Sequence, residues 1–320
     1  MAVAPAANVM TLAMRRWIDS WYGIESMPRE GPKRVAWVRV LPFVAMHAAC
    51  LLVLWVGWSP TAVVTAVALY AIRMFAITAF YHRYFSHRAF KTSRFMQFVF
   101  GVMGNSTVQR GPIWWASMHR HHHRYSDQPQ DPHSPTQHGF LWSHMGWFMS
   151  DPNFAPRLEL VQDLARFPEL RFLDRFDTLI PALGGLSIFA LGEVLQSVAP
   201  GLGTSGPQLL VWAIISTVVH LHAALTINSL AHLFGRQRYV TGDTSRNSML
   251  LALITFGEGW HNNHHHYQAS VRQGHAWWEI DITYYLLVVM SWFGLVWDLK
   301  PVPDAVRTSD LRRGGEQAAA

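Results

Sequence analysis

The chain has 320 residues, of which 50% are hydrophobic and only 14% are charged, against roughly 25% charged residues in soluble proteins. Its net charge of +6 suits nucleic acid or anionic lipid, but no basic helix or basic–aromatic pattern favours nucleic acid, so we take lipid as the partner. A single cysteine, Cys50, excludes an intrachain disulfide and a cysteine-ligated iron–sulfur cluster. These properties predict an integral membrane protein.

Four apolar segments are near the roughly 20 residues that a bilayer requires. They are predicted as membrane spans at about 38–58, 61–81, 179–198 and 208–230. Two further apolar segments, 95–104 and 280–297, are interpreted as helices that pack outside the spans. The fold class predicted is therefore an all-α integral membrane protein with four transmembrane helices.

Basic residues indicate how the spans are oriented. The turns at 59–60 and 199–207 contain no Lys or Arg, whereas the other connections are basic. The positive-inside rule places the basic segments and both termini in the cytoplasm. We thus predict an N-terminal arm at 1–36, a single domain at 37–300 and a polar, disordered tail at 301–320. A cytoplasmic helical cap is predicted at 82–178 and 231–300.

Histidines cluster at the membrane ends of these segments. His82 and His87 are five residues apart, and each of two runs has the spacing i, i+3, i+4 that shares one helix face. The two runs are His119, His122, His123 and His261, His264, His265. With His232, which follows the fourth span, nine imidazoles exceed the four ligands usual for one ion, so the spacing predicts two metals.

The histidine runs differ from tags and low-complexity tracts, because they are internal and differently spaced. Within them, His121 and His266 point away from the shared faces and are excluded as ligands. Asn228, four residues before His232, is predicted to bond a metal-bound water, with helix packing as the alternative. Arg73, within the second span, is expected to face protein or a polar cavity.

Several stretches of the chain match one family in the same order. They are His82-Arg-Tyr-Phe-Ser-His87, His119-Arg-His-His-His123, Asp131-Pro-His133, Ser143-His-Met-Gly-Trp147, Asn228-Ser-Leu-Ala-His232 and Gly257-Glu-Gly-Trp-His-Asn-Asn-His-His265. From about residue 60 to about residue 300, the chain resembles membrane fatty-acid desaturases of the stearoyl-CoA (delta-9) type.

This resemblance implies a reaction and a site. It implies four spans, a cytoplasmic cap and two iron ions, with O2 as co-substrate in forming a cis double bond in a long-chain saturated acyl group. The nine implied iron ligands are His82, His87, His119, His122, His123, His232, His261, His264 and His265. Asn228 matches the family's water-linked residue, while Gln109 and Trp115 match residues beside a bend in the substrate tunnel.

The chain departs from the family where acyl-CoA enzymes grip the CoA head group. Ser117-Met118 stands in place of an Arg-Asp pair, Ser150-Asp151 in place of Arg-Lys, and Ala224-Leu225 in place of Thr-Trp. The carrier of the acyl chain is therefore left open between CoA and a phospholipid. No fused cytochrome b5 domain is expected, so a separate ferredoxin-, rubredoxin- or cytochrome b5-type protein is predicted to supply electrons.

Two rival functions are consistent with the histidine pattern. A membrane di-iron hydroxylase would begin with the same hydrogen abstraction, so motifs alone do not separate it from a desaturase. A metal transporter or store would need ligands at mid-depth in the membrane, whereas these clusters flank the spans on one side. We therefore favour the desaturase, in the bacterial inner membrane with its active site in the cytoplasm.

Overall fold

The computed structural model describes residues 6–31 and 33–312, and these ranges contain helices and isolated β-bridges but no β-strand. The helices are α1 (Ala6–Ile18), α2 (Leu41–Val56), α3 (Pro60–Ser86), α4 (Arg94–Asn105), α5 (Pro112–Tyr125), α6 (Pro168–Arg175), α7 (Leu179–Val198), α8 (Gly206–His232), α9 (Met249–Ile254), α10 (His261–His266), α11 (Ile282–Trp292) and α12 (Asp304–Thr308). Short helical turns occupy Ile24–Ser26, Pro135–His138, Trp142–Gly146, Trp147–Met149, Asp151–Asn153, Leu158–Leu160, Gln162–Ala165 and Pro200–Leu202. The all-helical fold class is thus confirmed for the described residues.

Three of the described helices, α3, α7 and α8, are long and apolar enough to cross a membrane. They coincide with the predicted spans at 61–81, 179–198 and 208–230. The first predicted span, 38–58, forms the shorter helix α2, in which a 3₁₀ turn at Cys50–Leu52 interrupts the α-helix. Ser59 then begins α3 as its N-cap, since its Oγ accepts a hydrogen bond from the Ala62 amide at 3.1 Å.

Helix α8 packs against α2, α3 and α7 and is the centre of the membrane bundle. Polar side chains connect it to α3: Ser216 Oγ donates to the Ala66 carbonyl at 2.6 Å, and Arg73 donates to Thr217 Oγ1 at 2.6 Å. Arg73 therefore faces protein, as its cost in lipid requires.

Helix α3 does not end at Tyr81, where the predicted span ends. It continues as a π-helix over Ala76–Ser86, with all of these residues buried. The amide of His87 bonds to the carbonyl of His82, five residues earlier, at 3.2 Å. In an α-helix residues five apart point about 140° away from each other, whereas the π pattern puts them one turn apart on the same side. The backbone thereby brings His82 and His87 together.

The remaining helices form a layer at the histidine end of the bundle. An aromatic core joins α3 to α4, with the rings of Phe80 and Phe100 stacked at 3.8 Å. Helix α11 buries Leu287 against this core, while Trp292 and Phe293 at its end are exposed. It therefore packs beside the core on one face only, consistent with the interpretation of 280–297 as a helix outside the spans.

Both ends of the chain contain more structure than the predicted arm and tail suggest. Helix α1 lies within the arm, where Trp17 Nε1 donates to the Arg39 carbonyl at 2.8 Å and Ser20 Oγ to Asp177 at 2.7 Å. Helix α12 lies within the predicted tail. The first five residues of the arm and residues 313–320 of the tail lie outside the described residues.

Candidate metal centre

Five imidazoles converge where α3, α5 and α10 meet, and we call them the first histidine group. They are His82, His87, His119, His123 and His264, and their nearest ring nitrogens lie within 4.8 Å of one another. Neighbouring Nε2 atoms are closer still: 2.7 Å for His87–His119, 2.9 Å for His119–His123, 2.9 Å for His123–His264 and 3.0 Å for His82–His264.

Four more imidazoles form the second histidine group beside the first. They are His122, His232, His261 and His265, and the Nε2 atoms of His232 and His261 are 3.1 Å apart. The nine histidines predicted from spacing are thus all brought together, in two sets.

The two sets share helices in a way that differs from the predicted single face. Helix α5 gives the i, i+4 pair His119 and His123 to the first group and His122 to the second. Helix α10 does the reverse, because His261 and His265 enter the second group and His264 enters the first. Adjacent residues are about 100° apart around a helix, so each helix lies between the two groups and serves both.

The positions of the ring nitrogens are explained better by binding to metal ions than by hydrogen bonds between histidines. Two nitrogens at about 2.1 Å from one ion and at right angles are about 3.0 Å apart, close to the 2.7–3.1 Å observed. One imidazole proton can serve only one pair of nitrogens, whereas five Nε2 atoms meet in the first group. In the second group, the Nε2 of His265 is buried and has no hydrogen-bond partner in the described structure.

Four carboxylates lie behind the histidines and fix which nitrogen faces inward. The Nδ1 atoms donate to Asp131 from His122 (2.9 Å), to Asp127 from His232 (3.1 Å), to Asp243 from His265 (2.6 Å) and to Glu258 from His82. With the proton on Nδ1, the Nε2 lone pair is free to bind a metal, the arrangement common in protein metal sites. Sequence spacing gave no role to these acids, although Asp127, Asp131 and Glu258 border the histidine runs.

Burial keeps most of these rings neutral, which is the form that binds metal. It lowers the pKa of five of them well below the usual value, with the charges of neighbouring histidines adding to the effect: His87, His119, His123, His261 and His264. Burial also opposes ionisation of Asp243, but His265 and nearby hydroxyls outweigh it and lower the pKa of this carboxyl. A neutral ring set backed by carboxylates suits cations.

The histidines excluded from the ligand set have other partners. His121 bonds to the Gln130 carbonyl at 2.9 Å, and His266 stacks on Tyr239 with ring centres 3.9 Å apart. His133 lies near Asp131 and His122 and was not among the predicted ligands. The proximity of its ring to the second group could be recognised only once the chain was folded.

A cavity of about 300 Å³ lies beside the histidines, with His82, His119, His122 and His261 in its wall. Its other lining is largely apolar and aromatic, and nearly half of it comes from α2, α3, α5 and α8. Asn228, Gln109 and Trp115 all line this cavity, so the three non-histidine residues predicted at the site lie together beside the histidines.

Trp115 and Gln109 form a wall of the cavity beside the first histidine group. The Trp115 ring stacks on His119 with centroids 5.0 Å apart, and its Nε1 is 3.4 Å from Gln109 Oε1. The residues on either side of Gln109 are in the left-handed region, with φ of 61° at Val108 and 67° at Arg110. Such backbone conformations are costly for side chains with a Cβ and concentrate at functional sites.

Comparison with known proteins decides the family. The Fatty acid desaturase family model matches residues 55–289, which is most of the chain and includes all nine histidines. The chain belongs to the fatty acid desaturase family. It is accordingly an oxidoreductase that desaturates fatty acyl chains.

The desaturase is similar to curated relatives from cyanobacteria and plants. It is 34% identical to the sn-1 stearoyl-lipid 9-desaturase of Anabaena variabilis, over 83% of this chain and 94% of that one. It is 35% identical to the sn-1 stearoyl-lipid 9-desaturase of Synechocystis, over 88% and 84%, and 33% identical to the acyl-CoA C20 Delta5-desaturase of Anemone leveillei, over 87% and 88%. Some plant relatives are longer: the matched part spans 64% of the acyl-CoA 5-desaturase AL21 of Anemone leveillei.

Proposed function

We propose that this desaturase introduces a cis double bond at the delta-9 position of a long-chain saturated acyl group carried by a lipid or by CoA. One observation carries the proposal: both histidine groups border the same apolar cavity. An acyl chain in this cavity would lie against both groups while its remaining carbons contact apolar side chains. The names of the relatives from Anabaena variabilis and Synechocystis support the delta-9 position.

We assign the two histidine groups to two iron ions, in keeping with the family. Imidazole nitrogen suits zinc, copper, iron and nickel alike, so the choice of iron comes from membership and the ligand set from geometry. Bound iron would supply the activation of O2. Overall, two hydrogens from the chain, two electrons and two protons would reduce O2 to two waters.

The residues of the chain itself would position the substrate and a water. Gln109 and Trp115 would hold the acyl chain against the first group, because both line the cavity and Trp115 touches His119. The second group has four histidines against five in the first, which leaves room for a water ligand. Asn228, which lines the same cavity from α8, is the proposed partner of that water.

We propose that α2 also spans the membrane, despite its length, which gives four spans in all. Exposed tryptophans lie at both of its ends, with Trp37 64% exposed before it and Trp55 and Trp58 82% and 70% exposed at its other end. Tryptophan at both ends is typical of the two interfaces of a bilayer. With α2 as a span, the basic connections favour a cytoplasmic cap at 82–178 and 231–300. We propose that both termini and the iron site also lie in the cytoplasm, at the inner membrane of a bacterium, and that 37–300 is one domain.

The electron donor is proposed to be a separate ferredoxin-, rubredoxin- or cytochrome b5-type protein. The reaction consumes two electrons for each double bond, and neither the acyl chain nor O2 supplies them. A carrier of one of these classes would deliver the electrons from its reductase.

The test is the fatty-acid profile of a host that expresses the chain. Derivatisation and mass spectrometry would place each double bond, with His264→Ala as the inactive variant and His121→Ala as the matched control on a histidine that faces away from both groups. We expect a cis-9 monoene from the parent and from His121→Ala but not from His264→Ala. A hydroxylated chain would identify a hydroxylase instead. An unchanged profile, with the protein expressed and a competent reductase present, would overturn the proposal in favour of metal handling.

A further inference from the structure

A second part of the cavity wall is strongly charged. Three arginines line it: Arg16 in α1, Arg39 before α2 and Arg110 before α5. Arg39 and Arg110 both contact Phe154. The Arg39 Cζ lies 3.8 Å from the centre of the Phe154 ring, and Arg110 donates to the Phe154 carbonyl at 3.3 Å. We call these three side chains the arginine cluster.

Only one member of the arginine cluster has a close counter-ion among the described residues. Arg110 Nε lies 2.6 Å from Asp177, which also accepts from Ser20. Arg16 donates to the Tyr22 carbonyl at 3.1 Å, and Arg39 contacts the sulfur of Met27 at 3.7 Å. Neither forms an ion pair within 4.0 Å in residues 6–31 and 33–312, so two guanidinium groups in a largely apolar cavity lack the anion that would compensate their partial burial.

Two carboxylates are near enough to influence the cluster. Asp177 is held by Arg110 and Ser20, and Asp151 acts on both Arg16 and Arg39 through space without a contact. The three arginines therefore outnumber the two acids, and the two unpaired guanidinium groups are the ones that remain free to bind a ligand.

The position of the cluster indicates where such a ligand comes from. Arg39 precedes the first residue of α2 by two positions, and Thr178, beside the cluster, immediately precedes α7. Trp17 connects these ends, since its Nε1 donates to the Arg39 carbonyl and its carbonyl accepts from Thr178 Oγ1 at 2.9 Å. The cluster thus lies at the start of two apolar helices, two residues after the exposed Trp37 in the case of Arg39. With α2 and α7 as spans, this is the level at which lipid head groups would lie.

We propose that Arg16 and Arg39 bind the phosphate of a glycerophospholipid whose acyl chain extends along the cavity to the histidines. The inference rests on the proposed function and names its substrate class: an acyl chain esterified to an anionic membrane phospholipid, entering from the bilayer. Guanidinium groups bind phosphate through charge-assisted, often bidentate hydrogen bonds. Arg110 is already paired with Asp177 and does not bind the phosphate. Its role is to hold the backbone next to Gln109 in place.

The test compares lipid binding by the full-length protein, purified in a neutral detergent, without turnover. The probes are distearoyl phosphatidylglycerol, uncharged distearoylglycerol and stearoyl-CoA, and native mass spectrometry would count bound molecules and give a Kd for each. The variants are Arg16→Gln/Arg39→Gln, the charge-retaining Arg39→Lys, and Arg34→Gln as the matched control on an exposed arginine of the same segment outside the cavity.

We expect the double variant to weaken phosphatidylglycerol binding by about tenfold or more, with distearoylglycerol unchanged, Arg39→Lys intermediate and Arg34→Gln like the parent. Equal weakening for both lipids would show a structural role and overturn the proposal, as would no weakening. Arginine-dependent binding of stearoyl-CoA in preference to the phospholipid would overturn the lipid source. Since the measurement involves no reaction, failure of the desaturase assay would leave this result interpretable on its own.

Discussion

At the scale of single residues, four carboxylates determine which ring nitrogen of four histidines faces the centre of its histidine group. Replacing Asp243 by Asn keeps the shape but substitutes an amide that can donate to Nδ1 of His265, so the ring can turn its proton toward the cavity. We expect iron affinity to fall about 10–100-fold, measured as iron per chain after dialysis against a chelator series.

The matched control for this change is Asp298→Asn. Asp298 pairs with Lys91 at 2.7 Å on the surface, where both side chains are more than half exposed. The iron content of this variant should equal that of the parent. Full iron retention by Asp243→Asn would mean that His265 is held by packing rather than by its carboxylate.

The left-handed backbone at Val108 is a second feature confined to one residue. A β-branched side chain at φ 61° is strained, so Val108→Gly should raise the free energy of unfolding by about 1 kcal/mol. The same change frees the neighbouring Gln109, and we expect a broader distribution of double-bond positions. The measurements are thermal unfolding and product analysis, and lower stability with unaltered regiochemistry would contradict the explanation.

Sequence spacing predicted which histidines come together better than it predicted the side chains behind them. The nine histidines brought together by the fold are the nine chosen from i, i+3, i+4 spacing and the family resemblance. The role of Asp127 was missed because its partner is distant in sequence: Asp127 and His232 are 105 residues apart. No local pattern encodes such a contact, which depends on how α8 returns to α5.

At the scale of elements, a close approach of α9 and α10 sets the second histidine group. Gly259 lies where a Cβ would overlap the backbone nitrogen of Ala252. Because backbone cannot yield as a side chain can, Gly259→Ala should separate α9 from the start of α10, destabilise the fold by about 1–3 kcal/mol and lower the iron content. Thermal unfolding and metal analysis of the purified variant measure both effects.

Gly184→Ala is the comparison for that variant, since it lies inside α7 with open space around it. Alanine is the better helix former by about 1 kcal/mol, so stability should hold or rise with iron unchanged. A parent-like Gly259→Ala protein would show that the two short helices can shift without disturbing His261 and His265.

The π-helix at Ala76–Ser86 is a feature that hydrophobic periodicity did not predict. The apolar pattern correctly placed a helix over 61–81, but the five-residue spacing of His82 and His87 does not fit one face of an α-helix. The spacing becomes intelligible once the backbone widens at Ala76–Ser86. That widening depends on burial among other helices and has no signature in local hydrophobicity.

At the scale of the whole molecule, one buried ionic cluster joins the membrane bundle to the C-terminal third of the chain. Arg83 on α3 donates to Asp281 at 2.9 and 3.0 Å and to Glu258 at 3.1 Å, and Asp281 also caps α11 by accepting from the Tyr284 amide. Asp281→Asn removes one of the two carboxylates that neutralise Arg83 and weakens the cap of α11, so it should destabilise the protein by about 2–3 kcal/mol.

Thermal unfolding of the detergent-solubilised protein would measure this loss. Glu169→Gln is the control, because it breaks the exposed pair with Arg94 and should leave the unfolding temperature where it is. Equal effects of the two substitutions would indicate that Arg83 finds other acceptors, such as the Val271 carbonyl that it already contacts at 2.8 Å.

The membrane-crossing helices were predictable at this scale, and their assembly was not. Length and hydropathy located α3, α7 and α8 within a few residues. The same criteria could not foresee that the arm would pack through Trp17 and Ser20 against the starts of α2 and α7. Those contacts are made by single side chains in a polar part of the sequence. Such a segment has no repeating pattern of apolar residues that would indicate a buried face.

Two of the long apolar helices carry histidines of the two groups at their ends. Helix α3 runs unbroken from Pro60 to His82 and beyond, and α8 runs from Gly206 to His232. No flexible loop separates the lipid-embedded part from the ligand on either helix. A change in bilayer thickness alters the tilt of such helices, and any change of tilt here is transmitted to the distance between imidazoles. The spacing of the histidines on these two helices, and with it the activity of the enzyme, should therefore depend on the thickness of the bilayer.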